Sequence, residues 1–497
     1  MSTLILSASE MRELEQRAFA EGVDQEELMD LAGGGIASEI LRLEPRKGIC
    51  ILYLGRGNNA GDALVAGSVL QNAGWSILVR FSAPPDTLGP LPQKKLYSFR
   101  SPPRPFDGMH GKLSAGLPII LLDGILGVGS RLGLTETHKT LTREMNELRK
   151  LLPARTYAVD IPTGITEEGV DPDSVAADVT ITIGFPKRSL FRDEAVNSVG
   201  KIRKVRLDAL SDRLSGDGSH DRFCDLEELS GLAPVREFDS HKGTFGRIGI
   251  VAGSLGFVGA GVLCSRSAVR AGAGLVTLYS RADGSYPLLA GRTDPEVMVK
   301  PIPDYREVLH DRLDAIAIGP GLGTSRETEI LEIVRDFNGP MVVDADALNI
   351  LSHHVETLSN VAGPRLLTPH PGEMSRLWPF HSASRAEIVR TFTDRYGVTL
   401  LLKGARTLVG ERGKALSYNS TGTPGMATGG SGDVLTGVCG ALLGRHLEPY
   451  GAARLAAWIC GRAAELSLKF ESEESMTPSR TMEFFGQAFR ELRAGLA

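Results

Sequence analysis

Gly425, Gly429, Gly430 and Gly432 run into Asp433 and then into the apolar stretch V-L-T-G-V-C-G-A-L-L-G. A glycine turn opening a buried helix gathers backbone N–H groups at the helix N-terminus, where free donors and the helix dipole favour an anion, most simply a phosphate. A carboxylate beside such a hole is repelled by the anion unless it has a task such as accepting a proton. Asp433 therefore reads in two ways, as a base or as an ordinary N-cap with the glycines as loop punctuation. Upstream stand His370 and Glu373 in T-P-H-P-G-E, and Lys403 and Arg406 in L-K-G-A-R-T. His370 reads equally as a structural hydrogen-bonder, and Lys403, taken alone, reads more readily as a solvated surface residue. Taken with Gly432 and Asp433, the group points to phosphoryl chemistry, in which the anion hole holds the transferring group and Asp433 deprotonates the accepting hydroxyl.

A second set lies in the first half. Asn58, Asn59 and Asp62 follow one apolar run, Asp123 ends another, and Asp160 ends a third, with Thr163 just beyond it. Asn59, Asp123 and Thr163 offer oxygen ligands to a hard cation, and Asp160 is placed to act as an acid or base nearby. The turn Gly55 to Ala60 satisfies G-x-G-x-x-G/A in form. The next strand carries Arg80 where a ribose-binding acid would stand, so a dinucleotide fingerprint is a poor fit.

The elements that must position these groups are short apolar strands, each ending in a polar turn. In the first half they are I-C-I-L-Y-L, L-P-I-I-L-L and T-Y-A-V; in the second, R-I-G-I-V, L-V-T-L-Y, A-I-A-I, M-V-V and T-L-L-L. Apolar strands alternating with helical segments predict parallel sheets covered on both faces, with ligands outside the carboxyl ends of the strands. The segment Ser211 to Asp221 is polar, holds two glycines and lacks apolar periodicity, so it reads as a linker. The fold class expected is α/β, two tandem three-layer domains, spanning 1–215 and 225–497.

With 497 residues, 42% of them hydrophobic, the chain is long enough for several cores. A net charge of -5 and no long basic block argue against nucleic acid as a partner. Five scattered cysteines without a C-x-x-C pair fit a reducing compartment, and the absence of an 18-residue apolar run argues against a membrane span. The N-terminus turns charged too early for a secretory signal, so a cytoplasmic protein is expected.

The motifs H-K-G-T-F-G, G-S-L-G-F-V-G-A, G-P-G-L-G, T-P-H-P-G-E-M, L-K-G-A-R-T and G-M-A-T-G-G-S-G-D resemble the ADP/ATP-dependent NAD(P)H-hydrate dehydratases, relatives of the ribokinase-like kinases. G-R-G-N-N-A-G-D, D-G-I-L-G-V-G and D-I-P-T-G resemble the NAD(P)H-hydrate epimerases. The resemblance covers nearly the whole chain and implies a Rossmann-like first domain and a ribokinase-like second one. It implies interconversion of R and S hydrates by the first domain, and ADP-dependent dehydration of the S form by the second. The implied partners are NAD(P)H hydrates and ADP, with a homo-oligomer expected.

Carried over by position, Asn58, Asn59, Ala60, Gly61 and Asp62 and the loop Gly127, Val128, Gly129, Ser130, Arg131, Leu132 and Gly133 would contact the hydrate in the epimerase. Asp160 would be its catalytic acid/base, and Asn59, Asp123 and Thr163 would bind potassium. Ala260, Gly323, His370 and Asp433 would line the dehydratase site. Lys403, Gly404, Ala405, Arg406, Thr407 and Gly432 would hold the nucleotide, with magnesium on its phosphates. Ala60 and Ala63 stand where the family usually has glycine, which raises the expectation that their methyl groups crowd the ligand. The runner-up is a ribokinase-like vitamin-precursor kinase with a non-catalytic N-terminal domain.

Overall fold

The computed structural model describes residues 4–108, 116–213, 220–233, 236–379 and 383–495. The chain forms two compact units, Met1–His220 and Asp221–Ala497. The middle of the expected linker, 214–219, lies outside the described residues.

The first unit is built on seven strands: β1 (Ile49–Leu54), β2 (Ser76–Phe81), β3 (Arg104–Pro105), β4 (Ile119–Gly124), β5 (Ala154–Val159), β6 (Val179–Ile183) and β7 (Lys201–Val205). All are parallel, in the order β3-β2-β1-β4-β5-β6-β7. Every residue of β1 and β4 is buried, as a strand covered by helices on both faces requires. The order reverses between β1 and β4, so their chains leave in opposite directions and open a crevice at the carboxyl edge. The helices Ala8–Ala20, Gln25–Leu43 and Asn58–Asn72 supply side chains to this unit's core, which holds Leu14, Ile36 and Leu64 at full burial.

The second unit carries ten strands: β8 (Arg222–Cys224), β9 (Arg247–Val251), β10 (Leu275–Arg281), β11 (Val297–Ile302), β12 (Ala315–Ile318), β13 (Met341–Val343), β14 (Arg365–Leu367), β15 (Thr399–Leu402), β16 (Leu408–Gly410) and β17 (Ser417–Asn419). Their order is β11-β10-β9-β12-β13-β14-β15-β16-β17-β8, parallel as far as β15, with β16 antiparallel to both its neighbours. The strand β8 precedes the expected domain start at 225 and adds itself beside β17. Here the reversal falls between β9 and β12.

The helix Ser431–Gly444 crosses the middle of this unit, and every residue from Val434 to Gly444 is buried. A helix that is apolar all round must lie inside. Its close packing depends on glycine: a Cβ on Gly437 would sit 2.0 Å from the Cys264 carbonyl oxygen of the helix Val258–Arg270.

Candidate functional site

In the second unit the loops after β9, β12, β13, β14 and β15 all emerge at one edge, and the helix Ser431–Gly444 starts among them. Its N-cap is Gly430, at φ 94°, and Asp433 lies inside the first helical turn. The N-cap reading of Asp433 is thus corrected, because the left-handed backbone that starts this helix is one only glycine adopts freely. Burial first, and then the negative charges of Asp344 and Asp346, push the Asp433 carboxyl up to about 6, with Lys403 opposing. A carboxylate tuned in this way takes up a proton readily near neutrality.

Asp344 is the hub of this site. Lys403 Nζ donates to its Oδ1 at 2.7 Å and Thr436 Oγ1 to its Oδ2 at 2.6 Å, while Lys403 also lies 3.6 Å from Glu373 Oε2. Burial works against the Lys403 charge, yet Asp344 and Glu373 outweigh it and raise its pKa. Lys403 is therefore neither a solvated surface residue nor free to swing. A Cβ built on Gly432 would lie 3.5 Å from Lys403 Nζ and 3.7 Å from Asp344 Oδ2, which brings the anion hole, the lysine and the acid together.

His370 caps the helix Pro371–Leu377, its Nδ1 accepting from the N–H of Gly372 at 3.0 Å and of Glu373 at 3.3 Å, while Glu373 Oε2 accepts from the His370 N–H at 2.8 Å. This reciprocal cap uses Nδ1 as an acceptor, so a neutral ring carries its proton on Nε2. The Gly323 N–H donates to Asp346 at 2.8 Å, and a Cβ on Gly321 would meet the Ala260 methyl at 2.9 Å, so Gly323 and Ala260 border the same turn. In the loop Lys403 to Thr407, Gly404 and Arg406 have φ 141° and 53°, and Arg385 holds the Ala405 carbonyl with both terminal nitrogens, at 3.1 and 3.0 Å.

In the first unit, Asp123 is fully buried and accepts from the Thr163 N–H at 2.7 Å, the Thr163 hydroxyl at 2.7 Å and the Ile125 N–H at 3.2 Å. These donors are neutral, and among the described residues no cationic side chain pairs with it. Burial outweighs those bonds and lifts its carboxyl to about 6. The Asn59 amide donates to the Leu126 carbonyl at 3.0 Å, and the Leu126 N–H donates to Thr163 Oγ1 at 3.1 Å, so the three expected cation ligands form one network. It is rich in oxygen and lacks positive charge, as a potassium site would be.

Asp160 follows β5 with φ 64°, a conformation costly for a residue with a Cβ and common where function over-determines the backbone. Its Oδ1 accepts from Thr182 Oγ1 at 3.2 Å, from the Ile183 N–H at 2.9 Å and from Lys187. Asp62 is half-buried on the helix Asn58–Asn72, where desolvation, then Asp160 and Glu15, hold its carboxyl well above the usual range. Asn58 and Asn59 open that helix behind the N-cap Gly57, so their N–H groups are among its unbonded donors. Gly127 backs onto Asn59, since a Cβ there would lie 3.1 Å from Asn59 Oδ1; Val128 to Gly133 run on from it as an irregular loop.

Ala60 and Ala63 stand in the core of the first unit. Both are fully buried, and the Ala63 methyl faces Gly124. Arg80 is engaged with Glu144 at 3.2 Å.

Asp344, Asp346, Thr436, Lys187, Glu15 and Arg385 escaped the sequence reading. A strand-end acid in M-V-V-D-A-D was the available signal for the first two; the others carry none. Among the described residues no group of three His, Cys, Asp or Glu side chains is arranged to hold a metal, and no helix is long and apolar enough to cross a membrane.

The family model described as NAD(P)H-hydrate dehydratase matches residues 248–485, and the one described as YjeF-related protein N-terminus matches 25–189. A bifunctional NAD(P)H-hydrate repair enzyme from Moorella thermoacetica is 31% identical, over 98% of this chain and 97% of the relative. Another, from Escherichia coli, is 34% identical over 84% of this chain and 80% of the relative. A crystal structure of the ADP/ATP-dependent NAD(P)H-hydrate dehydratase from Bacillus subtilis, co-crystallised with ATP and Mg2+, is 26% identical, with a TM-score of 0.48, covering 54% of this chain and 98% of that one.

Proposed function

The chain belongs to the family of bifunctional NAD(P)H-hydrate repair enzymes, and from that premise we propose how each unit's own residues carry its half of the repair. The protein interconverts the R and S hydrates of NADH and NADPH and dehydrates the S form at the expense of ADP. We assign the first activity to residues 1–215 and the second to 225–497. A vitamin-precursor kinase is not favoured, because the family likeness runs through both halves.

In the dehydratase, one observation carries the reading: Gly432, Lys403, Asp344 and Asp433 converge at the N-terminus of a buried helix. Free N–H groups around Gly432 bind the ADP phosphates, and the loop Lys403 to Thr407 borders the nucleotide. Ala260, Gly323 and His370 line the hydrate side. Asp433 takes the proton of the hydrate hydroxyl as its oxygen attacks the terminal phosphoryl group, and AMP leaves. Loss of a proton from the neighbouring ring carbon then expels phosphate and restores the dihydropyridine. Phosphate leaves far more readily than hydroxide, so the phosphoryl group is spent as a leaving group. Magnesium, when bound, neutralises phosphate charge; with no three-ligand cage among the described residues, it would be held mainly by the nucleotide and water.

In the epimerase, Asp160 exchanges protons with the hydrate, and Asn58 to Asp62 with Gly127 to Gly133 enclose it. Potassium would be held by Asp123, Thr163 and Asn59, offsetting the Asp123 charge. We place the protein in the cytoplasm, a reading supported by five buried, unbridged cysteines.

The test supplies resolved R and S hydrates with ADP or ATP and follows the reduced-nicotinamide absorbance. Asp433→Asn should abolish dehydration and leave epimerisation, and Asp160→Asn should do the reverse. Loss of both activities in either variant would overturn separate sites. Phosphorylation of a vitamin precursor with no recovery of absorbance would return the kinase.

A further inference from the structure

The loop Lys403 to Thr407 joins β15 to β16, and its backbone is unusual at two positions, Gly404 at φ 141° and Arg406 at φ 53°. The left-handed conformation costs a residue with a Cβ about 1 kcal/mol or more, so Arg406 keeps it only where its surroundings hold it. That hold comes from another element. Arg385 opens the helix Arg385–Tyr396, and its Nη1 and Nη2 both donate to the Ala405 carbonyl, at 3.1 and 3.0 Å. Nη2 also donates to the Arg406 carbonyl at 3.2 Å.

The place of this arginine runs against local preference. A cation in the first turn of a helix opposes the helix dipole, and the helix start is already secured by Ser384, whose Oγ accepts from the Glu387 N–H at 3.2 Å. The gain lies in the carbonyls of the loop. The helix that carries the arginine is firmly seated: Val389, Phe392 and Tyr396 are buried, and a Cβ on Gly410 of β16 would fall 2.4 Å from Val389 Cγ1. The loop in turn makes room for the guanidinium, since a Cβ on Gly404 would lie 2.9 Å from Arg385 Nη1. A trans peptide points its C=O and N–H in opposite directions. With the Ala405 and Arg406 carbonyls drawn to one guanidinium, the N–H groups of Arg406 and Thr407 both turn to the other side. Successive N–H groups turned the same way form a concavity suited to an anion.

We propose that Arg385 is a positioning residue for the nucleotide: its guanidinium fixes two peptide planes of the loop so that the N–H groups of Arg406 and Thr407 face ADP. The inference rests on the placement of the nucleotide at this loop, given above. Arg385 acts through the loop and takes no part in the transfer of the phosphoryl group, so its removal falls on ADP binding and spares turnover. A loop already held in its binding conformation has less freedom to lose when the ligand arrives. Lysine is a poor substitute, because an ammonium on a flexible stem does not span two carbonyls as the planar guanidinium does.

The experiment measures dehydration of the S hydrate against ADP concentration in the full-length wild type and in Arg385→Ala, Arg385→Lys and Gly404→Ala. For Arg385→Ala, KM for ADP should rise about tenfold or more, with kcat within about threefold of wild type and KM for the hydrate unchanged. Arg385→Lys should raise KM for ADP by about threefold. Millimolar guanidinium chloride, but not sodium chloride, should bring the KM of Arg385→Ala back towards wild type, which a general loss of packing would not allow. A wild-type KM for ADP in Arg385→Ala, or a loss confined to kcat, would overturn the proposal; should that variant not fold, a wild-type KM in Arg385→Lys does the same. Gly404→Ala reports on the loop itself. A raised KM there with none in Arg385→Ala keeps the nucleotide at the loop and removes the role of Arg385, whereas no change in either takes the nucleotide off the loop and the inference with it. If the wild type shows no ADP-dependent recovery of absorbance, the dehydratase reading itself falls.

Discussion

Lys403 Nζ lies 2.7 Å from Asp344 Oδ1, and this pair joins the end of β15 to the end of β13 directly beneath the N-terminus of the helix Ser431–Gly444. Thr436 of the helix binds the other Asp344 oxygen, so the acid fixes a lysine and a helix with one carboxylate. Its other effect is electrostatic, since its charge helps to hold Asp433 in a proton-accepting range.

Asp344→Asn should therefore act twice. Breaking a largely buried ion pair leaves Lys403 without its main counter-charge and should cost about 3 kcal/mol, read as a lower urea midpoint for the second unit. Removing the charge should also move the acidic limb of the dehydration profile to lower pH, provided the variant folds. A variant with unchanged midpoint and profile would show that the pair is incidental.

The pH dependence of the wild type follows from Asp433. A base works when ionised, so dehydration should be full above pH 7 and decline as pH falls through about 6. The stability linkage has the opposite sense. A carboxyl raised above its unfolded value favours the folded state most at low pH, below that unfolded value, and the advantage is lost as pH rises through about 6. Asp433→Asn, though inactive, should thus melt higher than wild type at pH 7.5, by the equivalent of about 2 kcal/mol. Equal melting temperatures would contradict the buried, unneutralised carboxylate.

The two neighbouring glycines of the loop should separate folding from binding. Gly430 has φ 94°, and an added Cβ would approach Leu263 Cδ1 to 2.6 Å, so Gly430→Ala should destabilise the second unit by about 1–3 kcal/mol. Gly432 has ordinary helical surroundings, with its nearest neighbours at 3.5 Å, so Gly432→Ala should fold normally. Its methyl would occupy the anion hole, raising KM for ADP about tenfold or more while leaving epimerisation untouched. An unaltered KM would place the phosphate elsewhere.

These residues also show where the sequence was legible. The strand, glycine turn and helix around Asp433 could be read because apolar runs and glycine clusters are local signals. Whether Asp433 stood at the N-cap or one turn inside could not, since a helix start depends on a single backbone angle at Gly430. Asp344 looked like any strand-end acid until Lys403, from a distant strand, was placed against it. Lys187 lacked even that signal, because a lysine in F-P-K-R reads as surface until the N-terminal segment closes over it. The short strands β16, β17 and β8 hold three residues each, too few for any periodicity to register.

Potassium gives the last prediction. Asp123 is buried, raised to about 6 by desolvation and, among the described residues, bonded only to neutral donors, so a bound cation should stabilise the first unit by mass action. At constant ionic strength, replacing choline chloride with potassium chloride should raise the melting temperature of that unit at pH 8, where the carboxyl is ionised. The gain should shrink at pH 5, because protonation removes the charge that attracts the ion. Asp123→Asn should abolish the potassium effect while keeping much of the hydrogen-bonding shape. Thr163→Val should weaken it, since the Thr163 hydroxyl both offers an oxygen and orients the carboxylate. A potassium shift that persists in Asp123→Asn would mean that the ion binds outside the Asn59, Asp123 and Thr163 network.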